Sequence, residues 1–270
     1  MADEAPRGLA RWTTPLLDKA GELTEFAWEV LQGVARGTGR NSLLPICYEV
    51  GVTSMPVVGI TGLFIGMVLA VQSYAQFAQL GLATRLGGII NTSVIRELGP
   101  VLAATMLAGR VGCAMAAELA TMRITEQVDA LACLGVNPVQ YLGAPRFLAC
   151  VLLIPLLTVL ANFVGVLGGA FVVTGIYHVD SFHYWQNSRG IIGMYDLLTG
   201  LIKPTIFGAT IAVVSCHHGL HSGAGAEGVG RAATKAFVSA FISILVLDFF
   251  LAMLLNQLYF FLWPGARSFA

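Results

Sequence analysis

The stretch VTSMPVVGITGLFIGMVLAV, residues 52–71, contains no formal charge, and the charge-free interval around it runs from Val50 to Thr84. A helix needs about 20 apolar residues to cross the hydrocarbon core of a bilayer. This run supplies them, so the chain has at least one membrane-spanning element. Pro56, Gly59, Gly62 and Gly66 punctuate it. Two arrangements fit: a helix packed closely on a neighbour through small residues, or a broken, re-entrant one.

Composition extends the same conclusion to the whole chain. Of 270 residues, 56% are hydrophobic and 11% charged, and the mean hydropathy is +0.77. Soluble domains carry about 25% charged residues, so a polytopic all-α membrane protein is the class that fits. Fifteen basic residues balance fifteen acidic ones, which implies no general attraction to nucleic acid. Cys47, Cys113, Cys133, Cys150 and Cys216 show no CxxC spacing; they read as small hydrophobes, with neither a disulfide nor a metal role. The first twenty residues are polar and mixed in charge, unlike a cleavable signal peptide.

Five apolar segments follow along the chain, at about 52–75, 87–120, 147–177, 197–216 and 235–263. Five crossings place the termini on opposite faces. Arg7, Arg11, Lys19, Arg36 and Arg40 precede the first span, Arg123 and Arg146 flank the second loop, and Arg231 and Lys235 precede the last span. The other side holds Arg85, Arg189 and Arg267, with Lys203 just inside the fourth span. The positive-inside rule then sets the amino terminus in the cytoplasm and the carboxyl terminus outside. YHVDSFHYWQNSRGIIGMYD (177–196) reads as an interfacial connector, its Trp and Tyr at headgroup level.

Two amphipathic pieces stand outside the spans. In LLDKAGELTEFAWEVLQGVARG (16–37), Leu16, Leu23, Phe26, Ala27, Val30 and Val34 share a face, with Asp18, Glu22, Glu25 and Glu29 largely opposite. Residues 1–45 are therefore expected to form an interfacial segment, lying either on the bilayer or against soluble protein. In ELATMRITEQVDALACLGVNPVQYLGAPR (118–146), Ile124, Val128 and Leu131 recur at helical spacing while Glu126, Gln127 and Asp129 lie off that stripe. Thr125 is expected to cap a short cytoplasmic helix over 124–136, and Gly135 and Asn137-Pro138 to end it. Such a helix either rests on the bilayer or serves as a docking knob for a soluble partner.

Charges inside the apolar segments need partners. IRELGPVLAATMLAGR (95–110) carries Arg96, Glu97 and Arg110. A charge facing lipid at mid-depth costs about 2.5–3.5 kcal/mol on insertion scales. These groups are therefore expected to face protein or a cavity, as an ion pair pinning neighbouring helices or as a polar spot in an outward-facing cavity. Leu69, Gln72, Tyr74 and Phe77 end the first span on the same outer side; they suit an apolar pocket wall, and equally ordinary packing. Asp248, alone in FISILVLDFFLAMLL, calls for a structural hydrogen bond to a neighbouring helix, with proton coupling the other reading. HHGLH (217–221) reads as a solvated cytoplasmic turn rather than a metal box. GAGAEGVG (223–230) lacks both the strand and the lysine of a phosphate cradle, and reads as a flexible loop.

RELGPVLAATMLAGRVGCAMAAELATMRITEQVDAL (96–131) and GVNPVQYLGAPR (135–146), together with FIGMVLAVQSY (64–74) and GAEGVGRAAT (225–234), resemble the MlaE/YrbE permeases of ABC-type lipid transporters. The likeness runs from about residue 45 to residue 260, so residues 46–265 are read as the permease domain. It leaves out the first 45 residues and the connector at 178–195.

The resemblance implies a homodimeric, multi-pass permease of a bacterial inner membrane, with five spans and an amino-terminal interfacial helix. It would work in phospholipid transport and outer-membrane lipid asymmetry. It implies no cofactor in this subunit: a separate cytoplasmic ATPase would bind ATP and Mg, and the chain has no GxxxxGK[ST]. Phospholipid would be exchanged with an MCE-domain protein on the outer side, and a small STAS-domain protein is a further cytoplasmic partner. The helix at 124–136 becomes the coupling helix, with Arg123, Glu126, Gln127, Asp129 and Leu131 at the ATPase. Glu97 falls beside the lipid path, with Arg96, Leu69, Gln72, Tyr74 and Phe77 as companion lipid-binding candidates. Two rivals from other classes are an intramembrane lipid-modifying enzyme and a passive channel or scaffold.

Overall fold

A computed structural model describes residues 7–37, 40–80 and 85–262; Arg267 and residue 263 of the expected fifth span lie outside them, as does the side chain of Leu16. The described residues are helical, with no strand among them. Five helices are long and apolar enough to cross a membrane: Leu43–Gln79, Leu86–Ile124, Val139–Ile176, Met194–Leu220 and Gly225–Phe261. All five expected spans are present, and the chain is an all-α, multi-pass membrane protein.

The first span comprises α2 (Arg40–Gly51) and α3 (Met55–Gln79), joined by a single 3-10 turn at Val52–Ser54. Pro56 falls in the first turn of α3, where a missing N–H costs nothing, so this span is not broken there. Gly62 and Gly66 serve contact instead. A Cβ on Gly62 would lie 2.4 Å from the Ala161 carbonyl oxygen, and one on Gly66 would lie 1.8 Å from that of Gly165. Small residues thus let α3 and α8 (Ala144–Ala170) touch backbone to backbone.

The second span is assembled from α4 (Leu86–Ser93), α5 (Gly99–Leu107) and α6 (Cys113–Ile124), separated by π-helical turns at Val94–Leu98 and Ala108–Gly112. Each wide turn carries one of the motif's charged groups, Glu97 with Arg96 in the first and Arg110 in the second. The third span continues α8 into a π-helical turn at Phe171–Ile176. Then come the connector helix α9 (Ser181–Ile191), the fourth span α10 (Met194–Leu220) and the fifth span α11 (Gly225–Leu262).

Span five begins about ten residues earlier than expected. The glycine-rich segment is its first turns rather than a flexible loop: Gly223 and Gly228 pack so closely that a Cβ on Gly228 would sit 2.0 Å from the Gly223 carbonyl oxygen. The five cysteines are free thiols, with Cys150 and Cys216 buried.

At one end of the bundle α9 covers α4. Tyr184, fully buried, donates to Asn91 Oδ1 at 3.0 Å, and Asn91 donates to Ser188 Oγ at 2.9 Å. At the other end α1 (Arg7–Arg36) docks through Phe26 and Val30 on a cluster that includes Leu119, Val128, Leu142, Cys216 and Leu220. Glu22 and Glu25 stay exposed on its far side, while Glu29 is half-buried.

Candidate functional site

The charges inside the bundle meet. Neighbours in a helix point about 100° apart, so Arg96 and Glu97 cannot pair with one another, and they part. Glu97 Oε2 accepts from Lys203 Nζ of α10 at 2.5 Å. Lys203 is fully buried, and its ammonium also lies 3.0 Å from Asp248 Oδ1 of α11. Asp248 thus has a structural partner on a neighbouring helix, as an ion pair with Lys203. Arg96 turns the other way, 3.8 Å from Asp196 Oδ1 and 5.5 Å over the Tyr195 ring. Asp196 Oδ2 accepts from the Gly193 amide at 2.9 Å and so also caps α10. Tyr195 in turn donates its hydroxyl to the Leu255 carbonyl of α11.

Backbone geometry holds this cluster in place. A Cβ on Gly99 would lie 1.7 Å from Asn162 Oδ1, and one on Gly200 would lie 2.9 Å from the Ile95 carbonyl oxygen. Both glycines let α8 and α10 close on the wide turn that presents Glu97. At 1.5 Å per residue, Glu97, Lys203 and Asp248 all lie about 14–21 Å from the same end of their helices. That is the interior of a bilayer-sized bundle.

Three carboxylates face two cations here, so the cluster carries one formal negative charge in excess. Glu97 brings that charge to the surface: its side chain is 43% exposed, against 0% for Lys203 and 22% for Asp248. It opens on a hollow of about 500 Å³ whose polar floor is Thr92, Ser93, Arg96 and Glu97 and whose apolar wall is Phe249 and Met253 of α11. A charged floor beside an apolar wall suits an amphipathic molecule better than a small polar one.

Of the expected lipid-binding residues, Arg96 and Glu97 line this hollow. Leu69, Tyr74 and Phe77 do not. They pack with the buried cluster of Ala70, Leu86, Ile90 and Tyr184 at the end of the bundle, where the Tyr74 ring stacks on Tyr177 at 3.8 Å. Gln72 is exposed on α3. Lys203 was noted in the sequence only as a flanking charge. Its alignment with Glu97 and Asp248, on three separate helices, depends on tertiary packing that periodicity does not report.

The far end of the bundle carries the second candidate. α7 spans Gln127–Cys133, shorter than the expected 124–136. Glu126 breaks it from α6 by adopting a left-handed backbone, φ 59° and ψ 14°. Thr125 does not cap it; its hydroxyl donates back to the Thr121 carbonyl at 2.9 Å. Gly135, at φ 77°, ends the element. Val128 is buried and Leu131 half-buried beneath it, while Glu126, Gln127 and Asp129 are exposed and Leu134 is 78% exposed at its tip. Arg123 is exposed at the same end, and its Nη1 donates at 2.7 Å to the Leu220 carbonyl, tying α6 to the carboxyl end of α10. Among the described residues no three His, Cys, Asp or Glu side chains are placed to hold a metal ion.

Comparison with known proteins bears on both ends. The family model for permease MlaE matches residues 43–254. A probable ABC transporter permease protein of Rickettsia prowazekii is 44% identical over 213 residues, 78% of this chain and 80% of that one. Another, from Synechocystis, is 38% identical over 258 residues, 95% of this chain and 97% of its own. Protein TRIGALACTOSYLDIACYLGLYCEROL 1, chloroplastic, of Arabidopsis thaliana is 35% identical over 218 residues, 81% of this chain and 62% of that protein.

Proposed function

The chain belongs to the MlaE permease family, and from that premise we propose that it carries phospholipid through the membrane as the permease subunit of an ATP-driven lipid transporter. As an ABC transporter permease it works with an ATPase. The observation that carries the lipid reading is the Glu97–Lys203–Asp248 cluster at membrane depth beside an open hollow with an apolar wall. Burying the Lys203 ammonium costs several kcal/mol of desolvation, and a cation kept at such cost between two partly exposed carboxylates calls for a role. Arg96 and Glu97 present opposite charges at the floor, complementary to a headgroup, while the exposed apolar side chains of α11 offer a track for acyl chains. The name of the Arabidopsis relative is that of a diacyl galactolipid, which supports lipid as the class of cargo.

The remaining assignments extend this reading. α7 is the coupling element, with Glu126, Gln127 and Asp129 toward the ATPase, which binds ATP and Mg, and Leu131 seating the element from beneath. Arg123, exposed at the same end and bonded to the Leu220 carbonyl, joins them at the ATPase and links that end to α10. The site opens on the side of the bundle, so a second copy of the chain completes its wall, giving a homodimer. An MCE-domain protein receives or delivers lipid at the α9 end, and a STAS-domain protein accompanies the ATPase. The subunit spans a bacterial inner membrane with its amino terminus cytoplasmic and its carboxyl terminus periplasmic, in keeping with the basic residues at the α7 end.

The test is transfer of a fluorescent phospholipid from vesicles holding the permease and its ATPase to acceptor MCE protein. ATP-dependent transfer that falls about tenfold or more in Glu97→Gln, with assembly intact, is the expected result. Transfer unaffected by Glu97→Gln would remove the cluster from the lipid path.

A further inference from the structure

A second hollow, of about 700 Å³, lies at the opposite end of the bundle, between α1, the end of α10 and the start of α11. His217 follows Lys203 by fourteen residues on α10, and Lys235 precedes Asp248 by thirteen on α11. Each interval is about 20 Å of helix, so this hollow sits roughly one leaflet away from the first.

Its polar groups are unevenly engaged. His218 Nε2 meets Ser239 Oγ at 3.1 Å, and His221 Nδ1 donates to the His217 carbonyl at 2.9 Å. Arg231 is paired with Glu227. Two buried atoms on the wall have no hydrogen-bond partner among the described residues: His217 Nδ1 and Ser222 Oγ. A buried polar atom left unpaired is costly, so these two are the groups on this wall with hydrogen-bonding capacity to offer a ligand. Lys235 from α11 and Glu22 from α1 also line the hollow, and neither has an ion-pair partner among the described residues.

A cation alone would leave Lys235 and the unpaired hydroxyl unused, and a bare anion would be opposed by Glu22. We propose that this hollow is a binding site for a phosphate–amine headgroup of the phosphoethanolamine type. Its phosphate meets Lys235, Ser222 and His217, and its ammonium faces Glu22. The site is separate from the Glu97 hollow and serves the other leaflet. It rests on the lipid reading for the source of its ligand and not for its chemistry.

The test uses the full chain in neutral detergent, titrated with dihexanoylphosphatidylethanolamine, with phosphoethanolamine as the soluble probe. Binding is followed by native mass spectrometry in the Glu97→Gln background, which silences the first hollow. One bound lipid is expected, with affinity about tenfold weaker in Lys235→Gln and in Ser222→Ala. Glu22→Gln is expected to erase preference over the phosphatidylglycerol analogue. Competition by phosphoethanolamine assigns the site to a soluble ligand of the same chemistry, and its absence assigns it to lipid; both support the site. Unchanged affinity in all three variants, or no binding of either probe, overturns it. Failure of lipid transfer by the chain with Glu97 intact, binding at this hollow being retained, would count against the transport reading alone.

Discussion

Lys203 and Glu97, 106 residues apart in sequence, share a 2.5 Å hydrogen bond whose lysine end is wholly buried and whose glutamate end is 43% exposed. The two ends of one bond therefore answer to different physics. Loss of the buried cation is a stability event; loss of the exposed carboxylate's charge is a surface event.

Lys203→Met leaves Glu97 and Asp248 as two uncompensated carboxylates inside the bundle. Breaking a buried pair from one side costs about 3–5 kcal/mol. Thermal unfolding in detergent is expected to show a large fall in midpoint. Adding Glu97→Gln and Asp248→Asn to Lys203→Met should recover most of it, because no buried charge is then left unpaired.

Glu97→Gln keeps a hydrogen-bond acceptor for Lys203, and Asp248 still balances the ammonium. Midpoint and dimer content are expected to change little while lipid transfer falls about tenfold or more. Loss of assembly in this variant would make the pair a clamp between helices instead.

At α7, charge and backbone can be separated. A left-handed backbone at a non-glycine residue is strained, and Asn and Gly tolerate it better than most. Glu126→Gly and Glu126→Asn are expected to preserve the element, whereas Glu126→Val should distort it. Asp129→Lys should weaken co-purification of the ATPase without altering the unfolding midpoint. Normal ATPase binding by Asp129→Lys would remove α7 from the coupling interface.

Glycines in the first span divide by what surrounds them. Nothing lies within 4 Å of a Cβ on Gly59, whereas one on Gly66 would meet the Gly165 carbonyl at 1.8 Å. Gly59→Ala should fold as well as the parent or slightly better, since Ala is favoured in helices by about 0.8–1 kcal/mol. Gly66→Ala should prevent accumulation of folded protein, as judged by gel filtration.

Asp180 caps α9, accepting from the Phe182 amide at 3.2 Å, and a hydrogen bond from His183 holds its carboxyl below the usual carboxylate range. A lowered pKa means the cap is present above the ordinary Asp value and lost only as pH falls through the lowered one. The protection factor of the Phe182 amide is therefore expected to hold at mildly acidic pH and to fall only below it. Asp180→Ala should remove that pH dependence.

Much of this fold is legible in the chain itself. Charge-free runs of bilayer length state the spans, while Gly62 and Gly66 are equally compatible with close packing and with a broken helix until their contacts with Ala161 and Gly165 are seen. The ends of helices are harder to read. Residues 225–230 looked like a loop because glycine is a poor helix former, yet Gly228 is needed for contact with Gly223. Thr125 looked like a cap, but the backbone turned at Glu126 and left its hydroxyl facing back. The site was half visible: Glu97 and Asp248 each demanded a partner, and neither sequence neighbourhood could name Lys203. Partnership across three helices is a property of their packing, and it leaves no periodic trace.

The contact of Gly66 on Gly165 has a mechanical consequence. Dispersion between touching backbones loses a quarter to a half of its strength over a gap of about 0.5–1 Å, so the seam between the first and third spans weakens steeply once it opens. Attraction between charges falls only as the inverse of distance, so the seam at Lys203 can stretch by an ångström and still pull. In a transporter that must open and reclose, the rigid unit is then α3 with α8, and the compliant joint is α10 against α5 and α11. The glycines fix what cannot move, and the buried lysine marks where the molecule gives.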